Sequence, residues 1–439
     1  MKLEFTFYPS SEAANAFLNK LCPENLFHNP NRAPTADVIN KRKACFNSTI
    51  SDLLIAHHLT SDGYCYRPME DGSFTQERFG ANIFKKVKEV ITEKKLCRLE
   101  EGYWTAKNPI ASRLFLFDEI AQKAEEYSIY KDNLLEHFAF HKVQHVIRAK
   151  YPKRKLDKGK TSDAKSVPHK EIQKCPEYPY LEKQIFWIND YLLSNHSIKG
   201  CSFTGFYRAF SDFKKPASSP NGKRDALFAG GRLYAQAGSY QTLKPKKRLK
   251  LEIDGEPVVE IDIKASHLSL AIFSIMGMTN ATLSDFPQYD FSTSKIDLYE
   301  VEGIPRILAK QCSVQLVSNG FKSSQWGRKF KEDIVRNSEI DLADFRFIDV
   351  KGALFEKHPL LNSPTAKDID WGFLQRRESD ALIATVTRLA HEYDIPAYPV
   401  HDSLIVKLKD IELAEHVLSD CFFSHIGYRP HLERKTDRD

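Results

Sequence analysis

Two acidic residues, far apart in the chain, lie in apolar surroundings where a carboxylate needs a partner. Asp262 lies within a β-branched run, 258–263, that predicts a buried strand. Asp402 lies in the run 397–406, at a predicted tight turn between two apolar strands. Because an unpaired buried carboxylate costs several kcal/mol, we expect each acid to have a charged partner.

A divalent metal ion is the simplest such partner. Two buried acids brought together would each have a raised pKa unless a cation lay between them. Ligand sets made only of oxygen suit magnesium, with manganese as the alternative. We therefore predict that Asp262 and Asp402 are metal ligands and that Mg²⁺ is the cofactor.

A third segment presents fixed positive charge. Pro305 suits the first turn of a helix, and Arg306 and Lys310, four residues apart, would share one face of it. A solvated surface is the ordinary explanation of such a pair. Next to two metal-binding acids, the same pair is suited to in-line phosphoryl transfer from a triphosphate.

The elements around Asp262 follow from local signals. The turn Asp254-Gly255 between two apolar runs predicts a hairpin, which would pair the strand of Asp262 with 248–253. After that strand the apolar period becomes helical, with Ser266 as the predicted N-cap. A second amphipathic helix, at about 375–391, precedes Asp402; its Arg377 and Glu378 either line the site or form a surface ion pair.

These motifs resemble those of family A DNA polymerases and the related single-subunit phage-type RNA polymerases. Asp262 is similar to the acid of their motif A, and Arg306 with Lys310 to the Arg-x-x-x-Lys of motif B. The sequence His401-Asp402-Ser403 is similar to motif C, and Gly231-Arg232 resembles a pair that precedes motif A. The resemblance covers residues 225–415, the palm and fingers of those enzymes.

The resemblance implies a template-directed DNA polymerase without proofreading that uses two Mg²⁺ ions. Its partners would be nucleoside triphosphates and a primer–template or single-stranded DNA or RNA, with a role in DNA replication. The implied residues are Asp262, Asp402 and Lys310 for catalysis, Arg306, Lys310 and His267 for the nucleotide, and Arg232, Arg208 and His401 for the nucleic acid.

Two departures from the family pattern leave parts of this reading open. In this sequence Ser318-Asn319 stands where motif B of the family has a Tyr-Gly pair. His267 stands where motif A of the DNA polymerases has a glutamate that helps to select the sugar. The sugar of the product therefore stays open between DNA and RNA. The rival readings are a template-independent or RNA-synthesising nucleotidyltransferase and a non-catalytic DNA-binding replication or regulatory factor with a degenerate polymerase core.

The predicted fold class is α+β with three parts. Residues 1–124 would be helical, with a loosely structured lead-in at 1–36 and a helix followed by two strands that resembles a winged helix-turn-helix domain; a structural helix–hairpin unit is the alternative. Residues 125–224 would be a helical, thumb-like or nucleic-acid-binding part with a basic loop at 151–174. Residues 225–439 would form the palm, an antiparallel sheet with helices, and the helical fingers.

Composition sets broad limits. The 439 residues carry a net charge of +6, which permits a nucleic-acid partner without requiring one. The eight cysteines include no Cys-x-x-Cys pair, which argues against a zinc knuckle and a disulfide framework. No stretch reaches the roughly 20 apolar residues of a membrane span, and no signal peptide is recognisable, so a cytoplasmic location is expected.

Overall fold

The computed structural model describes residues 1–22, 33–59, 62–74, 77–103, 110–153, 164–214, 226–236, 239–291, 296–369 and 371–437. Most of the predicted basic loop, the tip between the two strands near residue 105, and the Pro/Ser/Asn/Gly stretch at 215–223 lie outside the described residues. No described helix is long and apolar enough to cross a membrane.

The described chain is mixed α+β with several antiparallel sheets, as predicted. The helices are α1 Glu12–Leu21, α2 Ala36–Leu59, α3 Ala81–Glu93, α4 Asp118–Glu125, α5 Leu134–His137, α6 His169–Ile172, α7 Tyr178–Asn195, α8 Pro245–Arg248, α9 Ser266–Thr279, α10 Arg306–Ser318, α11 Arg328–Asn337, α12 Phe347–Lys357, α13 Trp371–Tyr393 and α14 Ile411–Ile426. The strands are β1 Phe7–Pro9, β2 Tyr64–Arg67, β3 Cys97–Glu100, β4 Ser112–Leu116, β5 Phe138–Phe140, β6 Ile147–Ala149, β7 Ile198–Lys199, β8 Phe206–Ser211, β9 Ala229–Ala235, β10 Glu252–Ile253, β11 Glu256–Ile263, β12 Tyr398–Val400, β13 Ser403–Lys407 and β14 Leu432–Lys435.

The chain divides into two compact units. The first unit comprises Met1–Asn189, Gly200–Tyr207 and Tyr234–Lys244, and the second comprises Asp190–Lys199, Arg208–Leu233 and Pro245–Asp439. Residues 215–225 are not described, and the predicted boundaries after residues 124 and 224 stay predictions.

The amino-terminal segment is part of the core of the first unit, so the prediction of a loosely structured lead-in was wrong for its described residues. Leu3, Phe5 and Phe7 are buried, and β1 pairs antiparallel with β5. The carboxylate of Asp52, on α2, accepts hydrogen bonds from the backbone N–H groups of Phe7 at 2.8 Å and Thr6 at 3.1 Å. The alternation of apolar residues at positions 3, 5 and 7 was the signal for this buried, extended segment.

The predicted helix followed by two strands is present in the first unit. It consists of α3, β3 and β4, and β2 adds a third strand in the order β2-β4-β3, all antiparallel. On α3 the residues Phe84, Val87 and Ile91 are buried at helical spacing, which gives the sheet a hydrophobic layer to pack against.

The main sheet of the second unit holds the two acids. Its strand order is β12-β13-β11-β10-β7, and β14 also pairs with β11. The predicted hairpin is confirmed: Ile253 pairs with Glu256, and Asp254 and Gly255 have positive φ angles of 53° and 79°. Positive φ at both central residues is the requirement of a type I′ turn, which matches the twist of the flanking strands.

Two details of the surroundings of Asp262 differ from the prediction. The strand β10 pairs with the first residues of β11 and does not reach Asp262. Asp262 lies instead between Ser403 of β13 and Glu433 of β14. Arg248, predicted to lie in the pairing strand, ends the short helix α8. The helix α9 is preceded by Ala265 at a φ of 49°, and Ser266 is its first residue rather than its cap.

Candidate active site

Antiparallel pairing of β11 with β13 brings the two predicted acids to one end of the sheet. Asp262 pairs with Ser403, and the backbone N–H of Ile263 donates to the carbonyl oxygen of Asp402 at 3.2 Å. Asp402 and His401 form the two-residue connection between β12 and β13, since Val400 pairs directly with Ser403. The sheet thus joins two segments that are 140 residues apart in the sequence.

The electrostatic surroundings of Asp402 disfavour its charged form. Burial, with smaller contributions from the negative charges of Glu378 and Asp262, raises the pKa of its carboxyl from 3.8 to about 6, although Arg232 opposes the rise. A carboxyl group whose pKa is raised by burial and by neighbouring carboxylates is a favourable place for an added cation.

Asp262 has a cationic partner from a strand that the sequence did not predict. Lys435, on β14, places its Nζ atom 2.9 Å from Oδ2 of Asp262. Glu433 lies directly across from Asp262 and forms an ion pair with Lys264. Asp262 and Lys264 therefore contact charged side chains of β14, whereas Glu260 is held by Arg248 and Ser403.

Asp262 and Asp402 are compatible with one common mode of Mg²⁺ binding. Among the described residues, no group of three or more His, Cys, Asp or Glu side chains is arranged to hold a metal ion. Mg²⁺ at phosphoryl-transfer sites is commonly bound by one or two carboxylates together with water and substrate phosphates, rather than by a closed protein cage. Asp262 and Asp402 supply two carboxylates of that kind, and Lys435 would have to leave Asp262 for a metal to bind there.

Beneath the acids lies a buried ion pair between Arg232 and Glu378. The carboxylate of Glu378 is fully buried and accepts from Nε of Arg232 at 2.9 Å, from Nη2 of Arg232 at 2.5 Å and from Oγ of Ser266. Glu378 is thus neither exposed nor part of a surface ion pair. It joins β9, α9 and α13, and its negative charge contributes to the raised pKa of Asp402.

The glycines before Arg232 allow this arrangement. Gly230 and Gly231 have φ angles of 81° and 84°, in the region that glycine adopts at little cost. A Cβ atom on Gly231 would lie 2.9 Å from the ring of Phe210 and 3.1 Å from Nη2 of Arg208. Any other residue at position 231 would push Arg208 away from the strand that carries Arg232.

The structure gives Arg208 a role different from the predicted contact with nucleic acid. Its side chain is 1% exposed, with Nε donating to the carbonyl oxygen of Gly231 at 2.6 Å and Nη2 paired with Asp380. A guanidinium held in this way is not free to reach a phosphate, and it fixes the backbone before Arg232 instead. Arg377 likewise turns away, donating to Ser274 and to the carbonyl oxygen of His425.

His267 lies on the first turn of α9, packed on an aromatic ring. Its imidazole stacks on Trp371 at 4.1 Å between ring centroids with an interplanar angle of 20°, and Nε2 is 3.4 Å from Nη2 of Arg232. Burial lowers the pKa of His267; Glu378 opposes this effect and Arg232 adds to it. The lowered pKa favours the neutral imidazole, whose Nε2 can accept a hydrogen bond from Nη2 of Arg232.

His401 adopts a backbone conformation that is uncommon for a residue with a side chain. Its φ angle is 55°, at the first position of the two-residue turn, where glycine is the usual occupant. Burial and the charge of Arg232 lower the pKa of His401. Its side chain borders a small cavity together with Arg232 and Ser379.

The predicted cations lie on the first two turns of α10. Nε of Arg306 is 2.5 Å from Oδ2 of Asp297, and its guanidinium lies 5.4 Å from the ring centroid of Tyr299. Lys310 is exposed, and it has no ion pair or side-chain hydrogen bond with any described residue. Burial, with smaller contributions from Asp402 and Asp297, raises the pKa of Tyr299 to about 12, and Arg306 opposes the rise.

A cavity of about 110 Å³ adjoins the end of β11. Three cationic or basic side chains border it, those of Lys264, Arg306 and His431, and Asp297 is the one carboxylate among the described residues of its wall. The remaining wall is formed by Ala265, Ser269, Phe291, Ile296 and Leu298. Lys264 is paired with Glu433 and Arg306 with Asp297, so an anionic ligand in this cavity would have to compete with those carboxylates.

Comparison with known proteins gives little. No protein-family model matches the chain, and no curated protein sequence matches it. Among solved structures it is similar to the polymerase domain of Pol1 from M. smegmatis, in a complex with DNA primer-template and dNTP, with a TM-score of 0.30 and 11% sequence identity. The matched region covers 91% of this chain and 65% of that one. The proposal below therefore rests on the geometry of the site.

Proposed function

We propose that the chain is a metal-dependent nucleotidyltransferase that adds nucleotides to a 3′ hydroxyl, with template-directed DNA synthesis as the leading activity. The observation that carries the proposal is the pairing of β11 with β13, which places Asp262 beside Asp402 at one end of a sheet. The pKa of Asp402, raised to about 6 by burial and by neighbouring acids, supports a cation there.

In this proposal Asp262 and Asp402 hold Mg²⁺, or Mn²⁺ in its place. When bound, the metal supplies charge that stabilises the attacking hydroxyl oxygen and the leaving pyrophosphate. The protein's own part is to hold two carboxylates in a fixed orientation on paired strands. Lys435 pairs with Asp262 in the metal-free protein, and a metal ion bound at Asp262 would take the place of its ammonium group.

The triphosphate would bind in the cavity beside β11. Lys264, Arg306 and His431 border that cavity, and all three can donate hydrogen bonds to phosphate oxygens. Lys310 lies four residues after Arg306 on the same helix and has no partner among the described residues, so its ammonium group is available for the γ- or β-phosphate. Fixed positive charge of this kind stabilises the charge that develops on the phosphates during transfer.

The buried pair of Arg232 and Glu378 would act as the floor of the site. Because Glu378 holds Arg232 through two nitrogens, the guanidinium has a defined position toward both His267 and Asp402. In this proposal His267, stacked on Trp371, would contact the nucleotide sugar, and His401 would contact the primer end. The choice between deoxyribose and ribose stays open.

One observation favours a second candidate, a non-catalytic nucleic-acid-binding factor built on the same fold. The helix α10 ends at Ser318, and Asn319 is its C-cap, so no aromatic ring follows the two cations at that position. An aromatic residue there would be the natural partner for a nucleotide base. The presence of both acids and Lys310 argues for catalysis.

Incorporation of labelled nucleotides tests the proposal and separates its variants. The protein is incubated with Mg²⁺ or Mn²⁺, with dNTPs or rNTPs, and with a primer–template or a single strand. Extension that requires the template supports a polymerase, and extension of the single strand alone supports a template-independent transferase. No incorporation under any combination would refute the enzymatic proposal and favour the second candidate.

Matched variants locate the activity. Asp262→Asn and Asp402→Asn should each abolish incorporation, while Asp368→Asn, an exposed acid of the same unit, should leave it unchanged. Lys310→Gln should raise the nucleotide concentration needed for half-maximal rate, and Lys322→Gln, another exposed lysine, should not. Full activity in Asp402→Asn would remove that residue from the site.

A further inference from the structure

The three-stranded sheet of the first unit has two very different faces. Cys65 and Arg67 on β2, Cys97 on β3 and Leu114 on β4 are buried and face the core. Because side chains alternate along a strand, the intervening residues lie on the opposite face. That outward face, here called the aromatic face, consists of Tyr64 and Tyr66 on β2, Arg98 and Glu100 on β3, and Arg113 and Phe115 on β4.

The register orders these six side chains into two rows across the sheet. Phe115 lies between Tyr64 and Arg98 in the first row, and Arg113 lies between Tyr66 and Glu100 in the second. The rings of Tyr64 and Phe115 are 4.9 Å apart. The guanidinium of Arg98 lies 4.6 Å from the centroid of Phe115, and that of Arg113 lies 5.2 Å from the centroid of Tyr64.

Part of the aromatic face is open to solvent. Tyr66 is 41% exposed and the side chain of Arg98 is 57% exposed, whereas Tyr64, Arg113 and Phe115 are half-buried. Arg98 is paired with Glu100 at 3.1 Å, and Arg113 leaves the face with a net positive charge. Contacts between arginine and aromatic rings stabilise a sheet by only about 0.5–1 kcal/mol at exposed sites.

We propose that the aromatic face is a binding site for single-stranded nucleic acid. Bases stack on exposed aromatic rings, and arginine side chains contribute both stacking and phosphate contacts, so a ring platform flanked by guanidinium groups suits such a strand. Positive charge on the face is complementary to the phosphate backbone. Duplex bases are stacked on one another and cannot present their faces to Tyr66. The site is therefore specific for unpaired strands.

Photocrosslinking of the full-length protein tests the location of the site directly. A single strand that contains 5-bromouracil is irradiated with the protein, and the modified peptides are mapped. Adducts should form within Tyr64–Arg67 and Ser112–Leu116, whether or not the catalytic unit also binds the strand. Adducts confined to peptides of the second unit would overturn the proposal.

Fluorescence anisotropy with an oligo-dT strand and an oligo-U strand measures the contribution of each side chain. Tyr66→Ala should weaken binding about five-fold or more, since stacking on one ring is worth about 1–3 kcal/mol per base, whereas Tyr66→Phe should retain it. Tyr130→Ala is the matched control, because Tyr130 is 49% exposed in the same unit but lies outside the sheet. Comparable losses of affinity for oligo-dT and oligo-U would show that the site binds single strands without distinguishing deoxyribose from ribose.

The two arginines of the aromatic face should affect the salt dependence of binding. Arg98→Gln and Arg113→Gln should each lower the slope of log affinity against log salt by roughly 0.7, the value for one phosphate contact on a single strand. Lys86→Gln, on the exposed side of α3, should not change it. Equal affinity of Tyr66→Ala and Tyr130→Ala, or equal dependence on Tyr66 for duplex and single strand, would refute the proposal. A loss of binding in Asp402→Asn alone bears on the proposed catalytic site and leaves the aromatic face unaffected.

Discussion

Replacing Asp402 by asparagine should stabilise the metal-free protein while removing its metal response. Burial, Glu378 and Asp262 together raise the pKa of the Asp402 carboxyl from 3.8 to about 6, so the folded state disfavours the charged form. A rise of this size corresponds to about 3 kcal/mol at a pH above both values. Because the side chain retains some solvent contact, we expect Asp402→Asn to recover about 1–3 kcal/mol at pH 7.5.

The effect of Asp402 on the stability of the fold should depend on pH. The folded-state pKa lies above the unfolded one, so the destabilising contribution of Asp402 is complete above about pH 6 and is lost as the pH falls toward 3.8. Thermal unfolding with a chelator present should show a midpoint about 2–10 °C higher for Asp402→Asn at pH 7.5. The difference should shrink toward zero at pH 4. Addition of Mg²⁺ should raise the midpoint of the wild-type protein and not that of the variant.

A matched substitution makes the result interpretable. Asp262→Asn removes the partly exposed ion pair with Lys435, so it should cost about 0–1 kcal/mol rather than stabilise the protein. A lower midpoint for Asp402→Asn at pH 7.5, or a difference between wild type and variant that is the same at pH 7.5 and pH 4, would refute the electrostatic reasoning.

Three further outcomes are expected. Glu378→Gln should lower the free energy of unfolding in urea by about 3–5 kcal/mol, because it leaves Arg232 buried without a counter-charge. The control Glu392→Gln, at an exposed ion pair, should cost less than about 1 kcal/mol, and equal costs would contradict the importance of the buried pair. His401→Gly should be more stable than His401→Ala by about 1 kcal/mol, since only glycine relieves the positive φ angle, and the reverse order would contradict the assigned turn. Lys435→Gln should bind Mn²⁺ about three-fold or more tightly by calorimetry, because the ammonium group no longer competes for Asp262; unchanged affinity would show that Lys435 does not compete.

Local signals in the sequence predicted much of the framework around Asp262 and Asp402. The Asp254-Gly255 hairpin and the two strands around His401-Asp402 are present, because turn residues between apolar runs determine such units over a few residues. The helix before Asp402 runs from Trp371 to Tyr393, longer than the predicted 375–391. Its added first turn contains Trp371, the ring that stacks on His267.

Long-range pairings were beyond the reach of these signals. A short, highly charged segment such as Leu432–Lys435 has no apolar pattern to mark it as a strand, yet it pairs with β11 and supplies the partner of Asp262. Arg208 and Glu378 look like surface residues in the sequence because charged residues are rarely buried, and each is buried only because another part of the chain supplies its partner. The roles of the site residues in catalysis and binding stay predictions.

Metal-dependent nucleotide incorporation is the most direct measurement of the central claim, that Asp262 and Asp402 form a nucleotidyl-transfer site. Wild-type protein and Asp402→Asn, the latter shown to be folded by its higher melting midpoint, are compared on one labelled primer–template with Mg²⁺ and dNTPs. The account predicts extension by the wild type, its loss on chelation, and none by the variant. Extension that persists in Asp402→Asn, or no extension by the wild type with either metal and either class of nucleotide, would contradict it.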